Sequence, residues 1–416
     1  MKIIMNDNFT KFKKSAGLFI KTGIISLFVG ITCGIVGVAF HLAVDFVTEF
    51  RGENPWVLYT LPVLGAVIAF MYAKFNPGDK GTDGIFVAAE NGDKLPIAIA
   101  PTIFIGTVLT HLGGGSSGRE GAALQLGGSI ASNIAYLLKL PKSMVNGIIL
   151  AGMAAVFSAL FGTPITAFVF VLEVITVGCI NTFAVLPCII SSLSAYRLAV
   201  NLGVTPMRYN ILSAIPTAFD PVTAVKTAIL ALLCAIVSVA FCLLMHNAHH
   251  IYQKTFKNPY IRRAAGGLVV IALTLIFGTD YNGAGMGVVK GIMAGGTVAI
   301  YAFLLKMIFT GATLGAGFKG GEIVPAMFIG ASFGAASAPF IGLNSVFGGA
   351  IGLICVFCGA VNAPLTAIIL SREMFGSSAM AYFALAVVVC FVASGKTSLY
   401  SVQTNLYSRL EKRAED

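Results

Sequence analysis

The sequence is short of charge. Only 11% of its 416 residues are Asp, Glu, Lys or Arg, where a water-soluble domain carries roughly 25%, and this excludes an ordinary soluble protein. Zinc-ribbon and disulfide frameworks are missing too. The cysteines sit singly except Cys355 and Cys358, whose CxxC spacing has no second pair and lies in a helix-like run. They read as small buried hydrophobes. No Walker-type phosphate loop is present, so nothing points to an ATP-driven pump. The strict apolar–polar alternation of a β-barrel is absent as well. What remains is apolar sequence, in runs long enough to cross a bilayer that recur from Ala16 to Ser394. The chain reads as an all-α polytopic membrane protein. Its first residues are too polar, and its first apolar stretch too long, for a cleaved signal peptide.

The net charge of +10 comes from clusters beside apolar runs: Lys11, Lys13 and Lys14, then Lys254, Lys257, Arg262 and Arg263, then Arg409, Lys412 and Arg413. Basic residues flanking spans mark cytoplasmic ends, so both termini are expected inside and no nucleic-acid partner is expected. His246, His249 and His250 end an apolar run before the basic loop. They read as an interfacial polar cap, not as metal ligands.

The runs are Ala16–Phe46, Trp56–Tyr72, Leu95–Leu112, Ala122–Leu140, Val145–Leu160 and Ile165–Leu198, with a polar interruption at Asn76–Gly84. After a polar connection they resume as Ala224–Met245, Ala264–Phe277, Ile292–Thr310, Ile323–Ile341, Ala350–Leu370 and Met380–Ala393. The two halves are related. Gly152, Phe157, Pro164, Thr166-Ala167 and Glu173 recur as Gly352, Phe357, Pro364, Thr366-Ala367 and Glu373, at a constant offset of 200. Gly118-Arg119-Glu120-Gly121 has a near-counterpart in Gly320-Gly321-Glu322-Ile323. Repeats with interrupted helices characterise transporters and channels, whose ion sites lie at half-helix ends between the repeats.

Few acidic residues lie deep in apolar sequence: Glu120, Glu173, Glu322 and Glu373. Such residues are functional by default. Glu173 and Glu373, at the ends of runs, read better as helix caps or as partners of a nearby base such as Arg372. Glu120 and Glu322 each sit at a glycine-flanked helix start, where free N–H groups and the helix dipole suit an anion. A carboxylate in a dry site resists ionisation, while a helix N-terminus favours its charged form. A group balanced between these pulls can move protons in step with an anion.

At these residues the sequence resembles the CLC family of chloride channels and anion/proton antiporters, over nearly the whole chain from about Gly30 to Tyr400. Gly118-Arg119-Glu120-Gly121 resembles the family's gating-glutamate motif, and Gly320-Gly321-Glu322-Ile323-Val324-Pro325 its second anion-site motif. The stretch Gly395–Ser401 resembles the one bearing the family's central tyrosine, here Tyr400. There are departures. Glu322 stands where chloride members carry an apolar residue. The internal proton glutamate of the chloride exchangers falls on Val174, with Glu173 one residue before it. The family's serine falls on Asp83, or on Thr82 if the alignment slips by one. Together these resemble the fluoride/proton antiporter branch, in which Phe86 falls beside the anion path.

The resemblance implies a CLC-type fold of two inverted-topology repeats with tilted and broken helices. Its expected divisions are a cytoplasmic tail at 1–15, repeats at 16–205 and 206–400, and a second tail at 401–416. It implies a secondary antiporter exporting fluoride in exchange for protons, a homodimer in a bacterial-type inner membrane, with no cofactor or metal. Glu120 and Glu322 would gate and couple. Gly118, Arg119, Gly121, Ala122, Gly321, Ile323, Val324, Tyr400, Phe86, Asp83 and Thr82 would surround the anion, the N–H groups of Gly118–Ala122 and Gly321–Val324 facing it. A chloride-selective or broadly anion-permeable channel or exchanger is the alternative within transport. An intramembrane enzyme is the alternative outside it, and would need a nucleophile–base pair, for which Ser117 and His111 are the nearest offering.

Overall fold

The computed structural model describes residues 2–216 and 219–405, with side chains at 17 and over 19–216 and 219–404. The side chains of Lys11, Lys13 and Lys14, and Arg409, Lys412 and Arg413 of the expected C-terminal tail, lie outside the described residues. Among the described residues, sixteen α-helices fall into two sets of eight. The first set is α1 (Lys2–Glu53), α2 (Leu61–Phe75), α3 (Gly81–Asn91), α4 (Ile99–Leu112), α5 (Glu120–Leu137), α6 (Lys142–Phe161), α7 (Pro164–Glu173) and α8 (Thr182–Asn201). The second is α9 (Pro221–Thr255), α10 (Pro259–Phe277), α11 (Met286–Met293), α12 (Ala302–Gly315), α13 (Ile323–Ser337), α14 (Ser345–Val361), α15 (Pro364–Phe375) and α16 (Met380–Ser394).

Packing repeats with the order. Helix α5 lies on α6 as α13 lies on α14, and α1 on α8 as α9 on α16. Three elements meet their own counterparts, α2 with α10, α5 with α13 and α7 with α15. Self-to-self contact is the mark of a two-fold axis. The Gly118 and Gly321 backbones pair antiparallel across it, as inverted-topology repeats require.

Among the described residues seven helices are long and apolar enough to cross a membrane. The outer helices of the fold turn Phe28, Leu42, Phe46, Leu268 and Val392 outward, while α5, α6, α13 and α14 are buried on nearly every side. Close approach in this centre depends on glycine. A Cβ on Gly152 would run into the carbonyl of Gly127, and one on Gly352 into that of Gly330. Small residues at helix crossings let backbones touch where the hydrophobic effect offers no drive between helices.

Helix ends differ from the sequence reading at several points. The run Ile165–Leu198 is two helices, α7 and α8, parted near Gly178 (φ 82°). Ala350–Leu370 is also two, because Asn362 takes a left-handed φ of 52° and Pro364 then opens α15. Gly162 (φ 65°) and Pro164 do the same in the first repeat. The interruption at Asn76–Gly84 overlaps α3, since an Asp79 carboxylate oxygen accepts from the Gly81 N–H at 3.2 Å and starts the helix early. Residues 2–15 of the expected tail are helix continuous with the first span.

Glu173 and Glu373 cap, each in the other repeat. The Glu173 carboxylate accepts from the N–H of Leu365 at 2.9 Å, the N–H of Thr366 at 2.8 Å and the Thr366 hydroxyl at 2.6 Å. Glu373 accepts from the N–H of Ile165 at 3.1 Å, the N–H of Thr166 at 2.8 Å and the Thr166 hydroxyl at 2.6 Å. The base suggested for Glu373, Arg372, is replaced in that role by a helix start.

Candidate anion site

Both glycine-rich loops end at one point. Gly118 N–H donates to the Gly321 carbonyl at 2.7 Å, and Gly321 N–H donates to the Gly118 carbonyl at 2.8 Å. This corrects the expectation that these two N–H groups face an anion, because each is committed to the other loop. Glycine is needed at Gly321, where a Cβ would lie 2.6 Å from the Gly121 nitrogen. Threonines brace the loops from across the axis. Ser116 N–H donates to the Thr313 hydroxyl at 2.9 Å, and Lys319 N–H to that of Thr110 at 3.2 Å. A third tie runs through the buried Lys306, whose ammonium donates to the carbonyls of Tyr281 (3.0 Å) and Gly283 (2.7 Å). Gly283 in turn accepts from Ser117 N–H.

The bridged loops aim α5 and α13 at each other. Glu120 opens α5 fully buried, and one carboxylate oxygen accepts from the Val324 N–H in the first turn of α13 at 3.2 Å. Its other oxygen is buried with no hydrogen-bond partner. A carboxylate thus occupies the anion-favouring end of the opposite repeat's helix. Gly121, Ala122 and Ile323 lie in the same two first turns, all buried. Beside them the Phe86 and Tyr400 rings meet edge to face at 4.9 Å, and the Tyr400 hydroxyl is buried without a partner.

A cavity reaches this point from each direction. One, of about 500 Å³, is lined by Glu120, Val324, Arg51, His111, Arg119 and Asp45. Arg119, expected near the anion, turns its guanidinium to Asp45 at 2.9 Å and forms the wall of this cavity. On the other side, cavities of about 370 and 330 Å³ share Glu322 and His249. Asp83, His246 and Ser401 line the first of these, and Lys319, Asp79 and Thr82 the second. Glu322 is partly exposed there, immediately before α13.

Two expected anion ligands are otherwise engaged. The Thr82 hydroxyl donates toward the Gly121 carbonyl at 3.5 Å and accepts from Gln125 at 3.2 Å. Asp83 accepts from the Ser401 hydroxyl, and an ionised carboxylate can only accept hydrogen bonds, so it is no ligand for an anion. His246 and His249, read as part of an interfacial cap, line the cavity of about 370 Å³. Among the described residues no cluster of metal-ligating side chains exists. Ser117 and His111 form no pair: the serine hydroxyl is buried without a partner, and the histidine Nε2 faces the Gly118 carbonyl at 3.4 Å. Ser401 and Lys319 are the site residues the sequence reading missed, though Ser401 ends a motif it used and Lys319 lies next to one.

Opposed helix starts between inverted repeats, reached by a cavity on each side, define an anion transport protein of the membrane. The chain belongs to the voltage gated chloride channel family, whose profile matches residues 64–395. It is 32% identical over 385 residues, 90% of this chain and 84% of the relative, to a "Chloride/fluoride channel protein" of Pseudomonas syringae pv. tomato. The solved structure titled a CLC-type fluoride/proton antiporter superposes with a TM-score of 0.87 at 30% identity, covering 93% of this chain and 98% of that one. A slow cyanobacterial Cl⁻/H⁺ antiporter shares the fold, with a TM-score of 0.79 at 19% identity over 94% of this chain and 97% of its own.

Proposed function

We propose that the protein is a fluoride/proton antiporter that exports fluoride as protons enter, and that it works as a homodimer with one pathway in each subunit. The observation that carries this reading is the seat of the Glu120 carboxylate on the Val324 N–H. When charged, Glu120 occupies the place an anion needs. A hydrogen bond to a charged group is worth about 1.5–3 kcal/mol net, so protonation weakens the seat by roughly ten- to hundredfold. The neutral side chain then has room in the 500 Å³ cavity that it lines. Fluoride, small and strongly hydrated, enters a dry site only against close donors. The Val324 N–H, once released, and the unpartnered Tyr400 hydroxyl are such donors. Glu322, standing before the same helix, relays the proton from the other face.

The orientation follows from charge. Helix α9 carries His246 and His249 of the Glu322-side cavity and runs on toward Lys254, Lys257, Arg262 and Arg263. The positive-inside rule makes that face cytoplasmic in a bacterial-type inner membrane, and the Glu120-side cavity external. The names of the Pseudomonas relative and of the similar solved structure agree with fluoride as substrate.

The test is efflux from liposomes, with fluoride, chloride and external pH followed together. Fast fluoride efflux with uphill proton uptake, and little of either with chloride, is expected. In Glu120→Gln the proton movement should vanish. Chloride flux equal to fluoride flux would return the protein to the chloride members of the family. Strong proton coupling in Glu120→Gln would remove the gate from this residue.

A further inference from the structure

Asp83 is out of place for an anion path, and its surroundings suit a different task. It lies in the first turn of α3, with one carboxylate oxygen held by the Ser401 hydroxyl and the other buried without a partner. Ser401 follows Tyr400, whose hydroxyl is buried and unpartnered and whose ring packs on Phe86 of the same helix as Asp83. Asp83 and Glu322 also face one cavity. The unpartnered Asp83 oxygen offers a lone pair to a proton arriving from Glu322 through the cavity that both line.

Building on the antiport reading above, we propose that Asp83 is the cytoplasmic-side proton station of the exchange. It takes the place of the internal glutamate that is absent at Val174. An O–H bond of protonated Glu322 breaks and one forms on Asp83, the proton crossing by water in the cavity they share and leaving Glu322 a carboxylate. Asp83 then releases the proton to water in the inner cavity. The Ser401 hydroxyl holds Asp83 in this position. The other titratable or charged groups around Asp83 are His246 and His249 from α9, Tyr400, and the neighbouring Lys80. The Asp79–Lys319 ion pair lines the adjoining cavity.

The experiment compares the purified wild-type chain with Asp83→Asn, Asp83→Glu and Ser401→Ala in liposomes, reading protons moved per fluoride. This ratio does not depend on how much protein folds or inserts. In Asp83→Asn it should fall about tenfold or more, the scale of losing a positioned proton-transfer group. Asp83→Glu should restore it. A wild-type ratio in Asp83→Asn overturns the station and leaves the antiport reading standing. Anion flux without protons in the wild type overturns both. If Asp83→Asn does not reconstitute, Ser401→Ala decides: a shifted pH profile of proton movement supports the station, and an unchanged profile overturns it.

Discussion

The reciprocal caps give a prediction whose two arms must differ. Glu173 and Glu373 each accept two helix-start N–H bonds and a threonine hydroxyl from the opposite repeat. By contact alone their losses should match. By burial they should not. Glu173 is 4% exposed, so in Glu173→Ala no water reaches the three orphaned donors. At about 1 kcal/mol or slightly more each, the loss is about 3–4 kcal/mol. Glu373 is half-buried and lines a surface cavity. Water takes over most of its donors there, and Glu373→Ala should cost about 1 kcal/mol. Thermal unfolding in detergent can be followed with a thiol-reactive dye, because every cysteine but Cys179 is buried. Glu173→Ala should melt several degrees below wild type, on the order of 1–2 °C per kcal/mol for a chain of this length, and Glu373→Ala close to wild type. Equal losses, or a larger one at Glu373, would refute the burial argument. A second readout separates capping from proton transfer: Glu173→Gln, though adjacent to Val174, should keep the wild-type ratio of protons to fluoride.

Tyr400→Phe removes a hydroxyl that has no protein partner. Melting should therefore change by less than about 1 kcal/mol in equivalent stability, while fluoride turnover falls, and a large loss of stability with unchanged turnover would make the tyrosine structural. Gly321→Ala places a Cβ against backbone that cannot yield. Fluoride and proton fluxes should drop together by about tenfold or more, and near-normal transport in this variant would show that the two loops do not need their close approach.

Much of the architecture was legible because it is written twice. Glycine, proline and glutamate at an offset of 200 exposed the repeat, and glycine-flanked carboxylates at helix starts nominated Glu120 and Glu322. Contacts across the axis were not legible. That Glu173 caps Thr366 and Glu373 caps Thr166 depends on how two repeats dock, which no local pattern encodes. For the same reason the N–H groups of Gly118 and Gly321 were assigned to the anion although each donates to the other residue's carbonyl. That His246 and His249 line a cavity was not legible either, because hydropathy does not record a concavity between helices. The early start of α3 depends on Asp79, a polar residue whose cap looks in sequence like a break.

The Gly118–Gly321 bridge also constrains how the machine can move in time. A transporter that rocks one repeat against the other must shear their interface in every cycle, and such domain motions run on microsecond-to-millisecond scales. Here the shear plane is crossed by two backbone hydrogen bonds at the ion site, by the Thr110 and Thr313 braces, and by the two glutamate caps. Breaking them together in each cycle would cost several kcal/mol. Rotation of the Glu120 side chain breaks one. On the antiport reading proposed above, the repeats would act as a stationary frame, and the step that opens the path would be a change of rotamer, intrinsically fast. Turnover would then be set by how often Glu120 finds a proton and the anion sheds its water.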